Sequence, residues 1–202
     1  MFTGIIKKTA EIKNLMKKNQ SFFVEINRPF DWKLKLGDSV SVNGICSTVN
    51  KISKNSFFVE YMPETIDKTT VLDWKKQEIV NLEKSLSMKD LMDGHMVLGH
   101  IDQKGKIMRI DKKGDSKVFT IQVPKNLMKY IALKGSVAVD GISLTVVDAF
   151  KDNFTVSLVN YTFSNTNLEN KKTGDSINIE TDIIAKYIFN ILNNSAYAKR
   201  RK

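Results

Sequence analysis

Residues Gly37–Val49 read GDSVSVNGICSTV, and residues Lys134–Val146 read KGSVAVDGISLTV, 97 positions later in a chain of 202. Each stretch alternates apolar and polar residues up to an Asn-Gly or Asp-Gly pair, then continues as a second β-type run. An Asn-Gly or Asp-Gly pair between two such runs is the strongest short-range hairpin signal, because both turn positions need positive φ. Aligned without a gap, residues 37–83 and 134–180 agree at 15 of 47 positions, from Ser39, Val40 and Val42 through Thr65 and Thr69 to Asn81 and Glu83. The beginnings match as well: MFTGIIKKTAEI from Met1 lies on MVLGHIDQKGKI from Met96, sharing Met, Gly and two Ile. A period of about 95 residues is too long for a solenoid and reads as a duplicated domain.

Further strands are expected at 21–26, 56–62, 78–83, 117–123, 153–159 and 176–181, where β-branched and aromatic residues run between turn signals. About six short strands per copy predict two small, closed antiparallel barrels. The fold class is therefore mainly β: two six-stranded antiparallel β-barrels over residues 1–95 and 96–183, followed by a C-terminal α-helix and basic tail over 184–202. Short amphipathic helical pieces are expected at KNLMKYIAL (125–133) and INRPFDWKLKL (26–36). From Ile183 onward, Ile184, Tyr187, Ile188, Ile191 and Leu192 fall on one helical stripe. Following two complete barrels, such a stripe points to an oligomer.

Composition narrows the function classes. The net charge of +10 comes mostly from scattered lysines, with arginine only at 28, 109, 200 and 201. Arginine is preferred for bidentate phosphate and base contacts, so the pattern argues against nucleic acid. The run AKRRK (198–202) is expected to be a disordered tail. No run of 18 apolar residues or signal-peptide pattern is present, so no membrane association is expected and the protein reads as cytoplasmic. One cysteine and two histidines are a poor supply of metal ligands, and no metal or cofactor is expected. His95 and His100, five residues apart, are expected on opposite faces of a strand.

Four matched positions differ between the copies: Cys46 faces Ser143, Ile5 faces His100, Gly37 faces Lys134, and Asn43 faces Asp140. The second copy is the more polar, which suggests two formerly alike sites with unequal tasks. Ser143 lies outside any Gly-x-Ser-x-Gly elbow, which disfavours a serine hydrolase. Thr65 and Thr69 in PETIDKTT, and Thr162 and Thr166 in YTFSNT, repeat a Thr-x-x-x-Thr core. Hydroxyls gathered at a barrel mouth suit an uncharged, hydroxyl-rich ligand with a flat amide-containing ring.

These stretches in order, MFTGII, VNGICSTV to PETIDKTT, GHMVLGHID, KGSVAVDGISLTV and GDSINIETD, resemble the riboflavin synthases of the alpha-chain, lumazine-binding type over essentially the whole chain. The resemblance implies a homotrimer in which two molecules of 6,7-dimethyl-8-ribityllumazine meet between the N-barrel of one subunit and the C-barrel of its neighbour. They dismutate to riboflavin and 5-amino-6-(D-ribitylamino)uracil without a cofactor; association with lumazine synthase also belongs to that picture. By position, Gly4, Ile5, Ile6, Cys46, Ser47, Thr48, Met62, Pro63, Glu64, Thr65, Ile66 and Asp67 would line the N-barrel pocket. Gly99, His100, Ile101, Lys134, Ser143, Leu144, Thr145, Val159, Asn160, Tyr161, Thr162, Phe163 and Ser164 would line the C-barrel pocket. His100, Ser143, Thr145, Cys46, Lys134 and Phe2 are the catalytic candidates. Asn81, Asp140 and Asp182 are supporting polar groups. The chain departs from the family's pattern at Asn160-Tyr161, at Leu98 before Gly99-His100, and at Gln77-Glu78. The alternative is a non-catalytic lumazine- or flavin-binding antenna or carrier protein built on the same barrels.

Overall fold

In the computed structural model, residues 1–199 are described, with side chains to Asn193. The first barrel comprises β1 (Lys8–Lys18), β2 (Ser21–Asn27), β3 (Ser39–Val42), β4 (Ile45–Ile52), β5 (Ser56–Tyr61) and β6 (Ile79–Lys84). The second comprises β7 (Gln103–Lys113), β8 (Ser116–Gln122), β9 (Ser136–Val139), β10 (Ile142–Ala149), β11 (Asn153–Leu158) and β12 (Ser176–Thr181). The first closes in the order β1-β2-β5-β4-β3-β6, and the second repeats that circuit as β7-β8-β11-β10-β9-β12. All pairings are antiparallel. Register shifts at Ile12/Asn14 and Val49/Lys51 recur at Ile107/Arg109 and Val146/Asp148, so even the irregularities that bend each wall into closure are duplicated. The two expected barrels are present.

The quoted motif forms the β3–β4 and β9–β10 hairpins. Asn43 and Gly44 have φ 45° and 81°, and Asp140 and Gly141 have φ 44° and 80°, so both central residues are left-handed, as a type I′ turn requires. The turns meet back to back. A Cβ on Gly44 would lie 2.7 Å from the Gly141 nitrogen, and a Cβ on Gly141 would lie 2.7 Å from the Gly44 nitrogen. Glycine is needed here for close approach as well as for the turn.

Strands β1 and β7 were not marked by alternation, because their sequences KTAEIKNLMKK and QKGKIMRIDKK are lysine-rich and bury few apolar side chains, chiefly Ile12 and Ile107. The helices expected at 125–133 and 26–36 do not form. The first reduces to a 3-10 turn at Met128–Tyr130 with Leu127 and Ile131 buried, and the second is non-helical around Pro29. Proline disfavours helix at the residue before it, and neither segment offers enough turns to offset helix nucleation. Instead, one-turn helices α1 (Pro63–Lys68) and α2 (Asn160–Ser164) occupy matching places, with Ile66 and Phe163 packed on the respective barrel cores. The chain continues in α3 (Ile183–Lys199). Among the described residues no helix is long and apolar enough to cross a membrane. Arg200, Arg201 and Lys202 of the expected tail lie outside the described residues.

Three turns carry a side chain where their counterpart carries glycine. Asn19 (φ 54°) matches Gly114 (φ 61°), Gly37 (φ 85°) matches Lys134 (φ 63°), and Gln77 (φ 68°) matches Gly174 (φ 98°). Lys134 therefore marks the turn before β9, exposed and left-handed. Because an L-side chain is disfavoured at positive φ, Gln77→Gly is predicted to raise unfolding free energy in a urea titration by about 0.5–1 kcal/mol. An unchanged or lower midpoint would show that the turn carries no strain.

Candidate functional site

The leading segment of each copy crosses to the other barrel. Phe2 and Val97 exchange backbone hydrogen bonds of 2.7 and 3.1 Å where the two segments pass. Beyond that point the Gly4 carbonyl accepts from Ser143 N at 2.8 Å in the second barrel, and the Gly99 carbonyl accepts from Cys46 N at 2.9 Å in the first. The approach is so close that a Cβ at Gly4 or Gly99 would sit 2.7 Å or 2.6 Å from the Cβ of Ser143 or Cys46. Gly4, Ile5 and Ile6 therefore belong beside Ser143, with Ile6 packed on the second core, while Gly99, His100 and Ile101 belong beside Cys46. This exchanges the grouping expected from linear order. Duplication aligns residues with their equivalents but does not say over which barrel a connecting segment passes.

Buried carboxylates hold both segments. Glu83 on β6 accepts from Thr3 N and Oγ1 at 2.7 Å each and from Gly4 N at 3.0 Å. Glu180 on β12 accepts from Leu98 N at 2.8 Å, Gly99 N at 2.9 Å and His100 N at 3.2 Å.

The burial alternation of β4 and β10 puts both candidate sites on the outer walls of the barrels, not at their mouths. Along β4, Ile45, Ser47 and Val49 are buried while Cys46 is half-buried and Thr48 exposed. Along β10, Ile142, Leu144 and Val146 are buried while Ser143 and Thr145 face outward. Ser47 and Leu144 are thus core residues. The Ser47 hydroxyl shares a 2.8 Å hydrogen bond with the Tyr61 hydroxyl, and Leu144 belongs to the second apolar core. Phe2 is fully buried with Val97, Ala138 and the side chain of Cys46, so it lies beneath the crossing.

The Cys46 pocket encloses about 360 Å³ between β4, the segment Gly99–Ile101, and α1, which contributes Glu64, Thr65 and Lys68. Met62, Pro63 and Asp67 are exposed around it, and Ile66 points into the core. At the other site, His95 Nδ1 and Ser143 Oγ are 2.7 Å apart. Burial lowers the His95 pKa from its usual value near 6.5, and the Asp182 carboxylate opposes that shift. Asp182 also accepts from Ile184 N and so caps α3. From α2, Val159, Asn160, Tyr161 and Ser164 are exposed; Thr162 is half-buried and Phe163 packs inward against Phe119.

His95 is the polar partner that a search for metal ligands misses. Neither His95 nor His100 is on a strand; the two serve different pockets. Gly94-His95 lies in the connection between the two copies, ahead of Met96 where the second begins to match, so the repeat carries no signal for it. Asn81 and Asp140 lie elsewhere, in the seam between the barrels. Asn81 Nδ2 donates to the Asp140 carbonyl at 3.0 Å and to Asn167 Oδ1 at 2.8 Å, while Asp140 Oδ1 accepts from Asn178 N at 2.7 Å.

Each site thus pairs a small nucleophile-type side chain with a histidine: Cys46 with His100 lining the same cavity, and Ser143 bonded to His95. Such pairs can move a proton to or from a bound ring, or activate a water or side chain to add to it. Gly99→Ala is predicted to weaken ligand binding at the Cys46 pocket roughly tenfold or more while the far-ultraviolet spectrum stays β-type, since the segment must lift off β4. Undiminished binding by calorimetry would contradict the close approach.

The lumazine binding domain family matches residues 3–85 and 98–182, once per barrel. The chain is 41% identical to riboflavin synthase of Actinobacillus pleuropneumoniae over 93% of this chain and 88% of that protein. It is 38% identical to riboflavin synthase of Bacillus subtilis, over 96% of this chain and 91% of the relative. Among solved structures, LumP complexed with riboflavin superposes with a TM-score of 0.83 at 25% identity, covering 90% of this chain and 99% of LumP. LumP complexed with 6,7-dimethyl-8-(1'-D-ribityl) lumazine gives a TM-score of 0.82 at 24% identity with the same coverage. On the match to both halves and the full-length identity to its relatives, the chain belongs to the lumazine-binding-domain family, among the riboflavin synthases.

Proposed function

We propose that this protein catalyses the dismutation of two molecules of 6,7-dimethyl-8-ribityllumazine, transferring a four-carbon unit from one to the other to give riboflavin and 5-amino-6-(D-ribitylamino)uracil. The observation that carries this reading is the pair of related, unequal sites on matching walls: a cavity beside Cys46, and Ser143 bonded to His95 at the equivalent position. When donor and acceptor are one compound, two versions of a pocket are needed to hold it in two roles, and fixed proximity supplies much of the acceleration. The Cys46 pocket offers a thiol, the His100 imidazole and the α1 groups Glu64, Thr65 and Lys68. The Ser143 pocket offers a hydroxyl bonded to His95, with outward-facing Thr145 two residues on. In this account His95 and Ser143 handle a proton or an adding water at one ring, and Cys46 and His100 serve the other. Lys134, exposed at the turn before β9, is left to a supporting charge, and Phe2 keeps the crossing segments in place beneath the rings.

The two pockets are proposed to face each other across a subunit boundary of a homotrimer. Support comes from α3. Lys186 pairs with Asp102 at 2.7 Å, and Phe189 meets the Tyr130 ring edge-on at 5.3 Å, so one side of the helix is docked on its own barrel. Ile184, Tyr187, Ile188, Ile191 and Leu192 on the expected stripe are each more than half exposed. A helix with its apolar stripe in water is stabilised by packing that stripe against other copies.

Purified protein given the lumazine alone is predicted to form riboflavin, read by its absorbance; binding without turnover would place the chain with non-catalytic carriers. Ser143→Ala should lower turnover about 10²-fold with little change in ligand affinity. Because burial lowers the His95 pKa, the ring is neutral above its usual 6.5, and the ratio of wild-type to Ser143→Ala turnover should hold constant from pH 7 to 8 and shrink only as pH drops below about 6.5, where protonation removes the acceptor from Ser143. A shrinking of that ratio beginning above pH 7 would remove His95 from that role. Deleting residues 184–202 should yield monomers by sedimentation with little turnover; a fully active monomer would refute the shared site.

A further inference from the structure

The two crossing segments are held unequally. In the first copy the Thr3 hydroxyl donates to Glu83 and in turn accepts from Ile5 N at 3.1 Å, so Glu83 serves two backbone N–H groups and a hydroxyl. The equivalent of Thr3 is Leu98, which has no hydroxyl, and Glu180 must accept from three consecutive backbone N–H groups unaided. These bonds fix the position of Gly99, whose carbonyl meets Cys46 N, and of His100 beside the pocket. We propose that Glu180 is the positioning residue of the Cys46 pocket, and that Leu98 leaves this pocket, but not the Ser143 pocket, sensitive to the protonation of its holding carboxylate.

An ionised carboxylate can accept all three bonds, whereas a protonated one turns an oxygen into a donor that opposes one of the N–H groups. Burial raises the Glu180 pKa to about 7; the Leu98 and Gly99 amides and Lys186 on α3 oppose that rise, and Asp102 ahead of β7 adds to it. Asp102 and Lys186 are themselves paired, and His100 lies in the segment that Glu180 holds. Burial raises Glu83 too, but the Thr3 hydroxyl is the foremost group opposing it. The sign for global stability is opposite to that for positioning. The raised value means this group's contribution to stability is full below pH 4.5 and declines up to about pH 7, while its hold on the segment tightens as pH rises through about 7.

The catalytic meaning rests on the proposed function, but the test does not need turnover. Cys46 is the only cysteine, so its alkylation by iodoacetamide in the full chain without substrate reports how closely Gly99 covers it. Relative to Leu98→Thr, which restores the missing hydroxyl, the wild-type labelling rate should rise several-fold as pH falls from 8 to 6, thiol ionisation being common to both. Glu180→Gln should label roughly tenfold faster than wild type at pH 8, the equivalent of one lost hydrogen bond. Glu83→Gln should leave Cys46 labelling unchanged. A wild-type to Leu98→Thr ratio that is flat with pH overturns the proposal, as does equal acceleration by Glu83→Gln. Should Glu180→Gln not fold, the ratio alone decides. Failure of the functional reading would appear separately, as absent riboflavin formation with the labelling pattern intact.

Discussion

The structure depends on the back-to-back packing of two hairpin turns. Gly44 and Gly141 approach so closely that neither tolerates a Cβ, and around them a fully buried set of amides closes the seam. Asn43 Oδ1 accepts from Asn81 N at 2.7 Å, Asn178 Nδ2 donates to the Asn43 carbonyl at 2.9 Å, and Asn167 Nδ2 reaches both Asn43 Oδ1 and Asp140 Oδ2. Buried polar groups are costly unless paired, so such a network fixes one relative placement of the barrels. Burial pushes the Asp140 carboxyl up, against the pull of the Lys171 charge. Lys171 in turn reaches Glu78 of the first barrel at 3.3 Å. The Asn43 to Asp140 difference between the copies is therefore a property of this seam and not of a pocket.

With the barrels fixed about that seam, the leading segments can exchange. Each lies in the groove between its partner's β4 or β10 wall and the crossing point at Phe2 and Val97, and each forms part of a pocket on the barrel it does not belong to. The consequence is chemical. Exchange puts His100 beside Cys46 while Ile5 lies beside Ser143, and the connection between the barrels delivers His95 to Ser143 alone. Two copies of one wall thus become two unequal sites, as a reaction needing the same molecule in two roles requires.

Much of this was legible in the sequence, for identifiable reasons. The Asn-Gly and Asp-Gly pairs gave the hairpins because only left-handed residues fit the turn, and the matched Val, Phe and Ile positions gave the two cores. Strand alternation also carried, unused, the information that Ser47 and Leu144 point inward while Cys46, Ser143 and Thr145 point outward. The lysine-rich β1 and β7 hid because a long, bent wall strand buries little more than Ile12 or Ile107. The exchange of Gly4–Ile6 and Gly99–Ile101 was not readable, since it depends on tertiary contacts of Glu83 and Glu180 that leave no local periodicity. His95 escaped because its role comes from position in the connection and not from the repeat.

The central claim is that ligand sits on the outer wall of each barrel beneath the other barrel's leading segment. It is tested most directly by titrating isotope-labelled protein with 6,7-dimethyl-8-ribityllumazine and following backbone amide resonances. The account predicts shifts at Cys46, Thr65, Gly99 and His100 and, at a different ligand concentration, at Gly4, His95, Ser143 and Thr162. Shifts confined to the barrel interior, at Ser47, Tyr61 and Leu144, or shifts at Gly4 that track Cys46 while those at Gly99 track Ser143, would contradict it.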